Sequence, residues 1–278
     1  MIGARQGSSL PIGVFDSGVG GLTVLRALRH AMPAEDFVYL GDTARLPYGT
    51  KSAASVVRYS LQCASALISR GIGCLVVACN TASASSLDAL RQAYPELPII
   101  GVIEPGAAAA VAASRSQHIA VIATEGTIDG GAYQTAIRRL NDSARVTARA
   151  CSLFVAMAEE GWTQGAIVEA VARRYLEPIF AADNAPDTLV LGCTHFPVLA
   201  ASIRAVLPAE VSVVDSAMTT AAAVQAQLQV PTRAGNPGAP ARGSVTWLAT
   251  DGAARFARVG SIFLGETLPV DTIEVIDL

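Results

Sequence analysis

The sequence predicts an α/β protein of two similar doubly wound domains, each built on a mainly parallel sheet. Short apolar runs alternate with amphipathic segments along the chain, which is the pattern of successive βαβ units. A weak internal repeat accompanies this alternation, since Ile12–Gly18 aligns with Ile119–Gly126, 107 residues later. We therefore expect two halves related by a pseudo-twofold axis, with the active site in the cleft between them.

Nine short runs rich in apolar and β-branched residues are predicted to be strands. They are Ile12–Phe15, Phe37–Leu40, Cys74–Val77, Ile99–Val102, Ile119–Ile122, Val146–Ala150, Thr188–Leu191, Val211–Val214 and Val245–Leu248. Helical stretches such as Gly21–His30 and Ser52–Ser69 lie between them. The last two strands are expected to return to the first domain, because a lone pair of strands makes a poor domain. The predicted domains are residues 11–100 with 211–278, and residues 101–210.

Composition limits the classes of function. The chain has 278 residues and a net charge of −3, which gives no electrostatic footprint for nucleic acid. No apolar stretch predicts a transmembrane helix, and Met1–Leu10 lacks the apolar core of a signal peptide. We interpret Met1–Leu10 as a short disordered leader, Pro231–Gly243 as a surface loop, and the protein as cytoplasmic. Disulfides are not expected in that reducing compartment.

The lysine content argues against one common cofactor. Lys51 is the only lysine, against nineteen arginines. A pyridoxal phosphate enzyme needs a lysine for its Schiff base, and Lys51 lies at what looks like the entry to a helix. The sequence therefore favours chemistry without a cofactor.

Two cysteines stand in matching settings at the ends of predicted strands. Cys79 follows Leu75–Ala78, and Cys193 follows Leu189–Gly192, 114 residues further along. In each case polar residues come next and begin a helix-like segment. A buried parallel strand delivers its last residues to the carboxyl edge of the sheet, where ligands bind in open α/β folds. Two thiols presented alike predict one chemical task performed from two sides.

A glycine-rich loop, Asp16–Gly21, joins the first strand to the first helix. Its backbone N–H groups would lie at a helix N-terminus, which is a site for an anion such as a carboxylate. The dinucleotide-binding fingerprint is excluded because Thr23 stands where a third glycine is needed, and the P-loop lysine is missing. The alternative is a plain tight turn in which Asp16 caps the helix.

The neighbours of the two cysteines favour reactive thiols. Cys79 precedes Asn80 and Thr81 at a helix start, where the thiol pKa of ~8.5 can fall toward neutrality. Cys193 lies two residues before His195, which can hold or relay a proton. A zinc site made by Cys79, Cys193 and His195 is a weaker alternative, because no CxxC or HxxxH spacing supports it. The remaining cysteines fit inert buried positions: Cys63, Cys74 and Cys151.

Two further segments carry polar groups that can reach such a site. Thr43–Gly49 follows the second strand and contains a Pro-Tyr-Gly turn, whose N–H groups and phenol can close over a ligand. Glu159 and Glu160 end a short apolar stretch. The alternatives are an ordinary exposed turn, a solvated pair of carboxylates and, for His195, a surface histidine at a helix start.

Seven short segments occur in a fixed order between Pro11 and about Val214. They are Phe15–Gly21, Asp42-Thr43 with Pro47–Gly49, Ala78–Ala82, Gly101–Gly106, Ala123–Thr127, Glu159–Gly161 and Gly192–Pro197. In this order they resemble the glutamate racemases, which are cofactor-independent amino-acid racemases of bacterial cell-wall synthesis. Two departures are small: Phe196 stands where the family often has tyrosine, and the ten-residue leader is extra.

The resemblance implies an isomerase that interconverts L- and D-glutamate by a two-base proton transfer at the α-carbon. Inversion requires removal of the proton on one face and delivery on the other, so two bases must flank the substrate. As in the family, Cys79 would act on the D-isomer and Cys193 on the L-isomer. Asp16 resembles the helper of Cys79, His195 resembles that of Cys193, and Glu159 is a third candidate.

Substrate binding is carried over from the same motifs. Hydroxyl and amide side chains at strand ends, with adjacent N–H groups, would hold both carboxylates without arginine. The expected binding residues are Asp16, Ser17, Pro47, Tyr48, Gly49, Asn80, Thr81, Thr124, Thr194 and His195. Neither a cofactor nor a metal is expected.

Other functions remain open at this point. A racemase of the same superfamily acting on aspartate or hydantoin would keep both cysteines, and a thiol hydrolase would use Cys79 or Cys193 with His195 as its base. A non-catalytic amino-acid-binding module would explain the cleft but does not need matched thiols. The resemblance further implies D-glutamate supply for peptidoglycan, and hence for cell shape, by a homodimer without nucleic-acid or membrane partners.

Overall fold

The computed structural model describes residues 10–230 and 243–278. The predicted leader, apart from Leu10, and the predicted surface loop, apart from Gly243, lie outside the described residues. Within these two ranges strands and helices alternate along the chain.

The strands of the described residues form two sheets. They are β1 (Ile12–Asp16), β2 (Phe37–Gly41), β3 (Cys74–Val77), β4 (Ile99–Gly101), β5 (His118–Ala123), β6 (Arg145–Ala150), β7 (Thr188–Gly192), β8 (Ser212–Asp215), β9 (Val245–Ala249) and β10 (Ile273–Val275). The first sheet has the order β10-β9-β2-β1-β3-β4, and the second has the order β6-β5-β7-β8. Every pair of neighbouring strands in them is parallel.

The internal repeat of the sequence corresponds to a repeated strand order. In the first sheet β1 lies between β2 and β3, with β4 beyond β3. In the second sheet β5 lies between β6 and β7 in the same way, with β8 beyond β7. Parallel neighbours joined through helices are the mark of a doubly wound fold. The predicted fold class of two similar α/β halves is confirmed.

The C-terminal part of the chain differs from the expected division. Residues 211–278 were expected in the first domain, but β8 pairs with β7 in the second sheet, through partners such as Leu189 and Val213. Only β9 and β10 return to the first sheet. The division differs because β8 lies beyond β7 as β4 lies beyond β3, so that the second sheet repeats the four-strand order of the first. The strand β10 was not predicted at all, because Ile273–Val275 is short and mostly exposed.

Eleven α-helices of the described residues cover the sheets. They are α1 (Leu22–Ala31), α2 (Ala53–Ile68), α3 (Asn80–Ala93), α4 (Ile103–Ala113), α5 (Glu125–Asp129), α6 (Ala132–Leu140), α7 (Leu153–Glu159), α8 (Ala166–Phe180), α9 (Ala200–Arg204), α10 (Ser216–Gln227) and α11 (Ala253–Leu264). The two halves pack on each other through α1 and α10, while α2 packs on α3. None of these helices is both long and apolar enough to span a membrane.

The central strands are buried on both faces, which explains their continuous apolar sequences. Every residue of β1, β3, β5 and β7 is buried. The edge strand β6 is only partly buried and accordingly carries arginine and threonine. Because the central strands cannot move without disturbing both helical layers, their carboxyl ends are rigid platforms for side chains that follow them.

We expect Phe15→Ala to destabilise the protein strongly. Phe15 is fully buried in β1, and truncation of such a side chain lowers the free energy of unfolding by about 3–5 kcal/mol. Leu140→Ala is the control, since Leu140 is 54% exposed and its change is expected to stay within about 0.5 kcal/mol. Urea unfolding followed by circular dichroism measures both. Equal stabilities of the two variants would contradict this account of the core.

Candidate active site

One cavity of about 290 Å³ lies at the carboxyl ends of both sheets. Segments that follow β1, β2, β3, β5, β6 and β7 contribute to its wall. Its size suits a small molecule. Twelve of the residues singled out in the sequence line it: Ser17, Pro47, Tyr48, Gly49, Cys79, Asn80, Thr81, Thr124, Glu159, Cys193, Thr194 and His195. Asp16 lies behind this wall and is fully buried.

Cys79 caps the N-terminus of α3. Its sulfur accepts a hydrogen bond from the N–H of Ala82 at 3.5 Å and donates to the hydroxyl of Ser17 at 3.7 Å. The sequence predicted that this helix start lowers the thiol pKa. Instead, burial and the nearby Asp16 carboxylate raise the pKa of Cys79 to about 12, because desolvation outweighs the helix N-terminus. A thiol with this pKa carries its proton at neutral pH.

Cys193 has a different set of neighbours. Its Sγ lies 3.9 Å from Nδ1 of His195, and Nε2 of His195 lies 3.1 Å from Oε1 of Glu159. The other oxygen of Glu159 accepts a hydrogen bond of 2.6 Å from Arg255. Burial lowers the pKa of His195, but the hydrogen bonds with Cys193 and Glu159 outweigh it and raise the pKa to about 10. His195 is therefore a buried cation at neutral pH.

Glu159 lies in this network and its neighbour Glu160 does not. Burial raises the pKa of Glu159, yet His195 and Arg255 together lower it below its usual range. Glu160 is exposed at the end of α7. The carboxylate of Glu159 is thus charged at neutral pH, and it forms an ion pair with His195 at the cavity wall.

The glycine-rich loop after β1 wraps around Asp16. The N–H of Gly18 donates to Oδ2 of Asp16 at 2.9 Å, and the N–H of Gly21 also bonds to this carboxylate. Gly21 itself occupies the N-cap position of α1, so Asp16 does not cap the helix as the tight-turn alternative supposed. These N–H groups bind the protein's own Asp16 carboxylate in place of the anionic ligand expected from the sequence. Thr194, from the other half, also donates to Asp16 at 3.4 Å.

Polar donors surround the remainder of the cavity. Thr81 and Thr124 have hydroxyl oxygens 3.0 Å apart, and Thr127 lies within 3.2 Å of both. Asn80 accepts a hydrogen bond of 2.8 Å from the Tyr133 hydroxyl through its Oδ1. Its Nδ2 is buried at the cavity and has no partner among the described residues. An unpaired buried N–H group is costly, so it calls for an acceptor from a ligand.

Tyr48 lines the cavity but directs its hydroxyl away from it. The hydroxyl donates to the buried carboxylate of Asp42, which also accepts bonds from Arg45 and Thr250. The predicted closure of the phenol over a ligand is therefore not available to its hydroxyl group. Asp42 instead fixes the Pro-Tyr-Gly turn, so that Gly49 lies against Thr124 of the other half.

The cysteines that were interpreted as inert do not line the cavity. Cys63, Cys74 and Cys151 are buried and, like Cys79 and Cys193, unbridged. Among the described residues, no three His, Cys, Asp or Glu side chains converge as metal ligands would.

Several residues of the site were not found from the sequence. Arg255 and Tyr133 come from α11 and α6, far along the chain from their partners Glu159 and Asn80, and no local pattern links them. Thr127 had a usable signal, because it follows Thr124 by three residues at a helix start and shares its face. Apolar residues also line the cavity: Leu46, Val155 and Ala156.

Gly20→Ala is expected to lower stability, because there is no room for a methyl group. A Cβ at Gly20 would touch the Thr194 hydroxyl and lie 2.5 Å from Nδ1 of His195. Overpacking of this kind costs about 1–3 kcal/mol. Gly18→Ala in the same loop is the matched control, since its Cβ would lie 3.4 Å from Leu46. A thermal unfolding midpoint for Gly20→Ala no lower than that for Gly18→Ala would refute the close contact.

NMR titration of the three histidines is expected to find the pKa of His195 near 10. Glu159→Gln removes its anionic partner and is expected to lower that pKa by about one to three pH units. Glu160→Gln is the matched control at the adjacent exposed position, and it should leave His195 unchanged. A value near 6.5 in the unsubstituted protein would refute the buried ion pair.

The same shift sets the pH dependence of stability. The pKa of His195 is raised on folding from 6.5 to about 10. Its charge therefore contributes stability that is fully present below pH 6.5 and is lost as the pH rises through 10. Glu159→Gln should remove the part of this contribution that comes from Glu159, so that urea midpoints of the two proteins differ most near neutral pH and converge above pH 10.

The family model described as Asp/Glu/Hydantoin racemase matches residues 12–226. The glutamate racemase of Geobacter metallireducens is 51% identical over 259 residues, which cover 92% of this chain and 93% of that protein.

Two solved structures have the same fold over nearly their whole length. The glutamate racemase of Francisella tularensis, determined in complex with D-glutamate, has a TM-score of 0.84 at 34% identity and covers 97% of this chain and 98% of that one. A glutamate racemase isoform of Bacillus anthracis has a TM-score of 0.87 at 34% identity, covering 99% of both chains. These similarities confirm the predicted family: the chain belongs to the Asp/Glu/hydantoin racemases and is an amino-acid racemase, an isomerase.

Proposed function

We propose that the protein is a glutamate racemase that interconverts L- and D-glutamate without a cofactor. One observation carries the proposal. Cys79 and Cys193 follow corresponding strands, β3 and β7, of two sheets that share a four-strand order, and both line one cavity. The Cys193 sulfur also contributes to the raised pKa of Cys79. Proton transfer with inversion needs a base on one face of the α-carbon and an acid on the other.

In this mechanism one sulfur is a thiolate and the other a thiol. The thiolate removes the α-proton, the electron pair remains on the α-carbon, and the opposite thiol delivers its proton to the other face. Cys193 acts on L-glutamate and Cys79 on D-glutamate, so the protonation states of the two sulfurs exchange in each turnover. Because its pKa is raised, Cys79 holds the proton to be delivered before the substrate binds.

The helper groups differ in charge between the two sides. His195 is a cation beside the Cys193 sulfur and stabilises negative charge there. The neighbour of Cys79 is Asp16, an acidic group whose own pKa is raised by burial. An acid whose pKa is raised can accept or share a proton near the sulfur. We assign Asp16 the role of supporting Cys79. We assign His195, with its ion-pair partner Glu159, the role of supporting Cys193.

The two substrate carboxylates are bound by hydroxyl and amide groups, since neither arginine nor lysine is among the lining residues. The unpaired Nδ2 of Asn80 supports this assignment. The N-terminus of α3, together with the Thr81 and Thr124 hydroxyls, supplies further donors. Ser17, Thr194 and the Pro47–Gly49 turn complete the proposed binding set.

Glutamate is favoured over aspartate or hydantoin because the compared proteins are glutamate racemases. Lys51 is exposed beyond the cavity wall, which supports chemistry carried by the sulfurs. The corresponding cellular role is the supply of D-glutamate for peptidoglycan in the cytoplasm. We propose a homodimer as the assembly, on the family resemblance.

Deuterium incorporation tests the two-sulfur mechanism. Wild-type protein incubated with either glutamate enantiomer in heavy water is expected to racemise it and to introduce deuterium at the α-carbon only. Cys79→Ser and Cys193→Ser should each lower kcat by about 10²–10⁴-fold, because each loses one acid–base partner. Optical rotation and proton NMR measure the two quantities.

The control is Cys74→Ser, which places the same substitution in β3 at a buried position that does not line the cavity. Circular dichroism establishes that all variants are folded. Full activity in both Cys79→Ser and Cys193→Ser would refute the mechanism. Faster exchange with aspartate would indicate the related racemase, and ammonia release would indicate a thiol hydrolase.

A further inference from the structure

A line of four side chains connects the cavity to the protein surface. Cys193 contacts His195, His195 pairs with Glu159, and Glu159 accepts a hydrogen bond from Arg255. The side chains become more exposed along the line, from 9% for His195 through 15% for Glu159 to 50% for Arg255. The proposed mechanism uses the first three groups and assigns nothing to Arg255.

Arg255 comes from the opposite half of the molecule. It lies in the first turn of α11, between β9 and β10 of the first sheet, whereas Glu159 ends α7 after β6 of the second sheet. The same helix also supports His195, because the Phe263 ring packs edge-on against the imidazole with centroids 5.0 Å apart. Helix α11 therefore holds two members of the line by independent contacts.

The two oxygens of Glu159 have separate tasks. Oε1 faces Nε2 of His195, and Oε2 accepts from the Arg255 guanidinium at 2.6 Å. With both oxygens bonded, the plane of the carboxylate is fixed, and with it the ring of His195. Without Arg255, Oε2 would face a second cavity of about 230 Å³ that Glu159 also lines, and the carboxylate would be free to rotate.

We propose that Arg255 is a positioning residue for the reaction: it orients Glu159, which holds His195 against the Cys193 sulfur. The proposal rests on the proposed function for its kinetic consequences. Arg255 is absent from the wall of the main cavity, so it acts through Glu159 and not on the substrate. The contact also makes the geometry at Cys193 depend on the two halves lying together.

The charges around Glu159 determine the direction in which removal of Arg255 shifts the pH dependence of activity. His195 and Arg255 contact it directly, and Asp251 faces it across the second cavity. Cys193 and Asp16 face His195 on its other side. Since Arg255 helps to lower the pKa of Glu159, its removal raises that pKa. The acid limb of activity should therefore move to higher pH.

The kinetic test compares Arg255→Gln and Arg255→Lys with Arg258→Gln. Arg258 is exposed on the same helix and is the matched control. In Arg255→Gln we expect kcat to fall about ten- to a hundredfold, KM to stay nearly constant, and the acid limb of kcat/KM to move upward. Arg255→Lys should recover part of kcat, and Arg258→Gln should match the wild type.

A second measurement does not depend on racemisation. Iodoacetamide reacts with thiolates. The rate at which it alkylates Cys193, followed by mass spectrometry across pH, therefore reports how well His195 and its partners stabilise negative charge on that sulfur. Arg255→Gln should slow alkylation most at low pH. If the wild-type protein does not racemise glutamate but Cys193 is still alkylated more slowly in Arg255→Gln, the proposed function alone is refuted. An active protein with kcat, acid limb and alkylation unchanged in Arg255→Gln would refute the role of Arg255.

Discussion

The buried charge of His195 is the interaction on which the arrangement of the site depends. An imidazolium that is 9% exposed is stable only when anionic or polar groups meet it, because burial alone drives the ring to its neutral form. Cys193 and Glu159 supply that compensation, and Glu159 is itself held by Arg255. The positions of α7, α11 and the segment after β7 are therefore linked through one charge. Disturbance of any of them changes the state of the ring beside Cys193.

Two halves with the same strand order carry different chemistry. The sulfur after β3 lies near an acidic group, and the sulfur after β7 lies near a cation. The duplication thus supplies the symmetry that faces two thiols toward one cavity, while the loops supply the difference in charge between them. Both features suit the interconversion of two mirror-image substrates in a site whose two sides differ in charge.

The sequence contained most of the fold because buried parallel strands have a local signature. Each of the nine predicted strands exists, with ends shifted by one residue at most. The short, exposed β10 has no such signature, and the sheet joined by β8 is decided by long-range pairing. In the site, strand-end residues such as Cys79 and Thr194 were predictable from position. The Arg255 contact and the raised pKa of Cys79 were not, since both arise from packing between distant segments.

The three threonines beside the cavity have a consequence for ligand binding. In the cluster of Thr81, Thr124 and Thr127, each hydroxyl can be either donor or acceptor. Rotation of three protons reverses the direction of the whole cluster without moving a heavy atom. A wall of this kind can present a donor or an acceptor at the same place.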